Sequence, residues 1–210
     1  MAPLKVIVFD LYNTLLCISK KNSPYKDILR ISPKPAATWE YIVTRYFTET
    51  EYLLKNLHMK GLIDTNIDQE VFQEKIKSEL GSVELYPEVS GILEEIKKQG
   101  YKLGVISNLT TPYISPFFRH DLDKLVDYIV FSCELGYTKP SPEIYRQLLK
   151  QAICDFKELS FENMLMVGNS YPNDVRAPKE LGMKAILLNR LGTKQKGEEI
   201  CSLSELFNYM

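Results

Sequence analysis

The chain has 210 residues, 45 % of them apolar and 25 % charged, and its 26 Lys and Arg against 27 Asp and Glu leave a formal charge of −1. That is the composition of one folded domain, or of a core with a small insertion, and not of a disordered chain. The near balance of charge argues against nucleic acid as a partner, because proteins that hold a phosphate backbone carry a basic excess.

No stretch approaches the roughly 18 uninterrupted apolar residues of a membrane helix, and Val6-Ile7-Val8-Phe9 is too short for the apolar core of a signal peptide. Cys17, Cys133, Cys154 and Cys201 are widely spaced, with no C-x-x-C pair. Reduced thiols, a cytoplasmic location and no membrane partner are therefore expected.

Residues 5–9 predict the first strand. The run is continuously apolar rather than alternating, as in a parallel strand covered on both faces. Next comes the stretch 17–81, which carries no strand signal. Trp39, Ile42, Val43, Tyr46, Phe47, Leu53, Leu54 and Leu57 predict one long amphipathic helix there, and Val71, Phe72, Ile76 and Leu80 predict another. Ser23-Pro24 and Ser32-Pro33-Lys34-Pro35 punctuate the entry, since a residue before proline is pushed out of the helical region. The aromatics Trp39, Tyr41, Tyr46, Phe47 and Tyr52 read mainly as internal packing of this helical unit, with a minority, which periodicity does not single out, facing the cleft.

Beyond the insertion, Val89, Ile92, Leu93 and Ile96 share a helical face that Gly100 ends. Apolar runs at 103–106, 128–131, 164–167 and 185–188 predict four more strands. Tyr145, Leu148, Leu149 and Ala152 line a helix that starts behind Ser141-Pro142. Ser202 to Phe207 predicts a short closing helix with its own cap. Strand and helix alternate, so the fold class is α/β with a parallel sheet flanked by helices. The helical insertion, residues 17–81, divides the core into 1–16 and 82–210.

Ligands of open parallel sheets bind beyond the carboxyl ends of the strands. Asp10 follows the first predicted strand and Ser107-Asn108 the second. A loop to Lys139-Pro140 follows the third, and Gly168-Asn169-Ser170, with Asp174 just downstream, the fourth. A carboxylate at a strand end can attack phosphorus or carbon and form a covalent intermediate that water later hydrolyses. Asp10 is the candidate nucleophile, because a charge behind a buried strand is costly without a purpose or a partner. Lys139 would offset the charge of Asp10 and of the substrate. Ser107 and Asn108 would donate hydrogen bonds to phosphate oxygens. Asp174 also stands where it would cap a helix beginning near Val175-Arg176-Ala177.

Asp10-Leu-Tyr-Asn-Thr14, Ser107, Lys139-Pro140 and Gly168-Asn-Ser with Asn173-Asp174, in that order, resemble the four motifs of the haloacid dehalogenase superfamily of hydrolases. The resemblance implies a Rossmann-like core, with the helical insertion as a small cap that opens and closes on hinges near Leu16-Cys17 and Gly81-Ser82. It implies Mg²⁺ as cofactor, held by Asp10, the main-chain carbonyl of Tyr12, Asn169 and Asp174. Mg²⁺ suits such oxygen donors. Asn169 stands where an Asp is usual, so one charge is missing and the ion should bind more weakly. The substrate implied is a small, anionic molecule.

Tyr12 occupies the position at which phosphatases of that superfamily carry an acid/base Asp. An unperturbed tyrosine titrates near 10, against about 3.9 for Asp, and is a poor base at neutrality. Three functions stay open. One is a Mg²⁺-dependent phosphatase of a small phosphorylated metabolite, with His58, Glu49 or Glu51 of the cap as substitute acid or with a substrate whose leaving group needs none. Another is a 2-haloacid dehalogenase, for which Tyr12 is the usual residue and Arg30 or Arg45 would have to bind the substrate. The last is a degenerate member that binds without turnover.

Overall fold

The computed structural model describes residues 3–190, 192 and 198–210. In chain order β1 is Val6–Phe9, β2 Leu16–Ile18, α1 Pro24–Ile31, α2 Pro35–Val43, α3 Thr50–Met59 and α4 Gln69–Gly81. Then come β3 Val83–Leu85, α5 Val89–Lys98, β4 Lys102–Ser107, α6 Ser115–Arg119, α7 Leu122–Leu125 and β5 Tyr128–Phe131. The rest are α8 Ser132–Leu135, α9 Pro142–Ala152, β6 Met164–Gly168, α10 Ala177–Glu180, β7 Lys184–Leu188 and β8 Glu199–Ile200.

Six strands pair in parallel in the order β5-β4-β1-β6-β7-β8. This is the expected α/β sheet, and the five predicted strands lie close to their expected places. Period 2 explains why they read as continuous runs. Ile7 and Phe9 point into one apolar layer with Leu93 and Ile96 of α5. Val6 and Val8 point into the other, with Ile144, Tyr145 and Leu148 of α9. Central β1 is thus wholly buried, and its successor Asp10 emerges at the middle of the sheet edge.

The helical insertion departs from expectation in four ways. First, its entry and exit pair as a short antiparallel ladder, β2 with β3, in the register Leu16↔Leu85 to Ile18↔Val83. Three residues per strand are too few for the sequence to signal. Second, two of the three prolines read as punctuation are helix starts. Pro24 and Pro35 occupy the first turns of α1 and α2, where a missing N–H costs nothing. Third, the single long helix is two, α2 and α3. The chain stops at Val43 because its carbonyl accepts from the Ser132 hydroxyl (2.7 Å) of α8, while the Phe47 N–H donates to the Thr111 hydroxyl (2.9 Å). Both partners lie outside the insertion, invisible to helical periodicity. Fourth, only Tyr41 and Phe47 of the five aromatics are buried; Trp39, Tyr46 and Tyr52 are exposed.

The closing turn is a short 3₁₀ helix, Leu203–Asn208, with Ser202 and Glu205 forming the expected reciprocal cap. The four cysteines are free thiols. No helix among the described residues is long and apolar enough to cross a membrane.

Candidate active site

Asp10 follows β1, between β4 and β6, with its N–H donating to the Val167 carbonyl (2.9 Å). The residue is 8 % exposed, so it is not sealed in the core. Lys139 Nζ donates to Asp10 Oδ1 and to Asp174 Oδ1, each at 2.7 Å, and to the Ile106 carbonyl at 3.0 Å. Residues distant in the chain therefore meet at one ammonium. Lys139 is 4 % exposed and Asp174 fully buried.

The supports around this triad are local and specific. Thr14 Oγ1 donates to Asp10 Oδ2 (3.2 Å), and the Ser170 N–H donates to Asp174 Oδ2 (2.9 Å). The amide of Asn108 clamps the Lys139 residue from both sides, accepting from its N–H (2.7 Å) and donating to its carbonyl (2.8 Å). That differs from the expected donation to substrate; the Asn108 amide is spent on holding Lys139. Ser107 is buried at the end of β4, next to Ile106, whose carbonyl Lys139 uses.

Burial pushes the Asp10 carboxyl up to about 6, helped by the negative charge of Asp174 and opposed by Lys139. The two carboxylates in turn push the Lys139 ammonium up, so it stays charged.

Asp174 does not cap a following helix. It lies within a π-helical turn, Tyr171–Arg176, and α10 begins only at Ala177. Gly168 is a requirement that the motifs alone do not reveal. A Cβ there would lie 2.4 Å from the Asp174 carboxyl carbon, so only glycine lets that carboxylate pack against the end of β6. Arg190 is equally silent in the sequence: it donates to the Thr14 carbonyl (2.7 Å) and pairs with Glu88 (2.6 Å), holding the loop that carries Thr14. An isolated arginine after a strand gives no signal of this.

Tyr12 is half-buried, and its hydroxyl donates to the Tyr113 carbonyl (2.9 Å). Burial pushes its phenol well above the ordinary tyrosine value. Next to it a cleft of about 220 Å³ opens between the core and the helical insertion, and Tyr12 and Asn108 are among its walls. His58, Glu49, Glu51, Arg30 and Arg45 are not among the residues lining it. Arg30 pairs with Asp27, and Arg45 lies 4.1 Å from the Tyr41 ring centre.

The test for Mg²⁺ is the donor set. Among the described residues no cluster of three or more Asp, Glu, His and Cys side chains surrounds a common point. Each oxygen of Asp174 accepts one hydrogen bond, from Lys139 and from Ser170, and each oxygen of Asp10 accepts one, from Lys139 and from Thr14. The donors at the ends of β1 and β6 are the Asp10 and Asp174 carboxylates, the Tyr12 carbonyl and the exposed Asn169 amide. These are hard oxygens and fit Mg²⁺, as a lightly charged site to be completed by water and substrate oxygens.

The model of the haloacid dehalogenase-like hydrolases matches residues 4–182. The chain belongs to that family. A glyceraldehyde 3-phosphate phosphatase of Methanothermobacter thermautotrophicus is 31 % identical over 116 residues, 55 % of this chain and 49 % of that protein. The chain thus matches about half the length of that curated relative. An (S)-2-haloacid dehalogenase 4A of Burkholderia cepacia is 24 % identical over 97 % of this chain and 94 % of its own. Among solved structures, a HAD phosphatase from Thermococcus onnurineus superposes with a TM-score of 0.66 at 20 % identity, covering 98 % of this chain and 97 % of that one. That likeness is one of fold.

Proposed function

We propose that this protein is an Asp10-dependent phosphohydrolase acting on a small, anionic phosphorylated molecule, with Mg²⁺ as its cofactor. The observation that carries the reading is the bridge of Lys139 Nζ to Asp10 and Asp174, 2.7 Å each. It holds the Asp10 carboxylate still at the sheet edge, two residues before Tyr12 of the cleft wall, which is what in-line attack needs. A carboxylate oxygen of Asp10 attacks phosphorus and the leaving group departs. Water then attacks the aspartyl phosphate at phosphorus and frees the carboxylate. Ser107 and backbone N–H groups at the end of β4 bind phosphate oxygens; Thr14 and Lys139 fix Asp10. Asn108 is a positioning residue that acts through Lys139. Asp10, the Tyr12 carbonyl, Asn169 and Asp174 would hold Mg²⁺, which would supply positive charge against that of the phosphoryl group. Residues 17–81 serve as the cap over this site, with hinges near Leu16-Cys17 and Gly81-Ser82, where the β2–β3 ladder joins it to the core.

Tyr12 supports a second reading, a haloacid dehalogenase, since its hydroxyl is committed to Tyr113 and halide leaves without a proton. One experiment separates the two. Purified protein is assayed with and without Mg²⁺ for phosphate release from acetyl phosphate and other phosphorylated metabolites, and for chloride release from 2-chloropropionate. Mg²⁺-dependent phosphate release that Asp10→Asn abolishes is the expected result. Chloride release without metal replaces the first reading by the second. Silence on both sides, from protein that binds Mg²⁺ weakly, returns the chain to a binding role.

A further inference from the structure

The cleft beside Tyr12 carries four aromatic rings among its walls. Tyr12, Tyr25, Trp39 and Tyr113 line it together with Leu109. Tyr113 packs edge-on against Tyr12 (centroids 5.7 Å apart, planes at 66°) and against Tyr25 (5.9 Å, 63°). Tyr25 and Tyr113 are themselves buried, so the rings most open to a ligand are Tyr12 and Trp39, which favour a planar partner offset-stacked or edge-on. Trp39, on α2, is 39 % exposed and is the chain's single tryptophan. A large exposed indole on a cleft wall is a surface that a ligand would cover.

The ionisable groups along the cleft give it a direction. Glu79 is buried and fully engaged: one oxygen accepts from the Tyr113 hydroxyl (2.6 Å), the other from the N–H groups of Asn22 and Ser23 (2.6 Å each). Lys26 of α1 is the other charge on the cleft wall. Tyr12 and Asn108 also line it; they stand in the loops after β1 and β4, two residues past Asp10 and next to Ser107, and Asn108 holds Lys139. A phosphate therefore belongs beside Tyr12 and Asn108, where the cleft comes nearest to Asp10, and an uncharged body among the rings.

The leaving group is constrained by the same residues. Tyr12 stands where a proton donor would serve, yet its hydroxyl is bonded to a carbonyl. An aliphatic alkoxide, whose parent alcohol titrates near water's value of roughly 16, leaves very slowly without a proton. A phenolate, with a parent acid near 10 like tyrosine's own, is about a million times less basic and needs far less help.

We infer that the cleft takes the planar ring of an aryl phosphate, or of a comparably stabilised oxygen leaving group, and discriminates against alkyl phosphates. This rests on the phosphohydrolase reading and narrows it to a substrate class. In the balanced step, Asp10 forms a bond to phosphorus as the phosphorus–oxygen bond to the ring breaks. The phenolate leaves with the electron pair and takes its proton from solvent. Water then cleaves the aspartyl phosphate at phosphorus, restoring the carboxylate and releasing dihydrogen phosphate.

The test uses the full chain with Mg²⁺ and three probes: phenyl phosphate, ethyl phosphate and acetyl phosphate. The ring and the acyl group are both good leaving groups, but only the former fills an aromatic cleft. We expect kcat/KM for phenyl phosphate to exceed that for ethyl phosphate by at least about 100-fold. Trp39→Ala should lower the ratio of phenyl to acetyl phosphate kcat/KM about tenfold through KM, and Trp39→Phe should recover most of it. Ethyl phosphate turned over within tenfold of phenyl phosphate, or a ratio that Trp39→Ala leaves unchanged, overturns the inference and leaves the phosphohydrolase standing. No phosphate from any of the three, acetyl phosphate included, overturns both.

Discussion

Gly168→Ala probes the site through a single methyl group. A Cβ at residue 168 would lie 2.4 Å from both Cγ and Oδ2 of Asp174 and 2.7 Å from its Cβ. Ordinary van der Waals contact starts about 1 Å farther out. Asp174 has nowhere cheap to go, because Lys139 Nζ and the Ser170 N–H each hold one of its oxygens. Overpacking of this kind costs about 1–3 kcal/mol, and separating a buried carboxylate from its ammonium costs up to about 3–5 kcal/mol. The expected loss of stability therefore lies between about 2 and 5 kcal/mol. Gly104→Ala is the internal comparison. Its Cβ would also be close, 2.8 Å from Leu148 Cδ1, but that contact is the far end of a flexible apolar side chain. Its loss should stay near about 1–2 kcal/mol, with phosphate release intact. Urea unfolding of both variants, read beside kcat on acetyl phosphate, separates them. If Gly168→Ala is as stable and as active as wild type, Asp174 does not pack against that backbone and the triad is misplaced.

Other perturbations reach the same groups independently. Lys139→Met leaves Asp10 and Asp174 buried without their shared cation, which should cost about 3–5 kcal/mol at pH 8. Burial already holds Asp10 near 6 in the folded protein, and losing the ammonium that opposes this moves it higher. A carboxyl raised by folding gains protons in the native state first, so the deficit should shrink as pH falls toward 5; melting temperatures across that window check the sign. Tyr12→Asp should raise ethyl phosphate hydrolysis about 10²-fold by restoring a proton donor, while phenyl phosphate gains much less; equal gains on both would mean that leaving-group protonation is not what Tyr12 withholds. Asn169→Asp adds one charge to the Mg²⁺ donor set and should tighten Mg²⁺ about tenfold in a calorimetric titration; an unchanged affinity removes Asn169 from that set.

The sheet and the triad are legible in the sequence for one reason: β1, β4 and β6 are buried, and a polar residue at or just after the end of such a strand stands out. Asp10, Ser107 and Asp174 are read from that contrast, and Lys139 from its Pro. The features that stay hidden depend on partners far away in the chain. The end of α2 is set by Ser132, the loop of Thr14 by Arg190, and the amide of Asn108 by the backbone of Lys139. Helical periodicity sees none of these, because each is one hydrogen bond to a residue of ordinary type. Trp39 illustrates the same limit from the surface. Its spacing matches the buried positions of a long helix, yet in the shorter α2 it stands on the cleft wall.

The two departures from the family's motifs, Tyr12 and Asn169, belong together on electrostatic grounds. With two carboxylates, Asp10 and Asp174, set against one ammonium, Lys139, the cluster at the ends of β1 and β6 carries one net negative charge. An Asp at each departed position would raise that to three, in addition to Glu79, which is already buried in the cleft wall. A dianionic phosphate entering such a site needs a tightly bound cation before it can approach. Tyr12 and Asn169 remove both charges, and Tyr12 removes the acid function as well. The repulsion is lowered, the demand for metal is lowered, and so is the ability to protonate a poor leaving group. A substrate that brings its own good leaving group and a neutral ring loses nothing by this exchange. One with an alkyl ester loses the step it depends on.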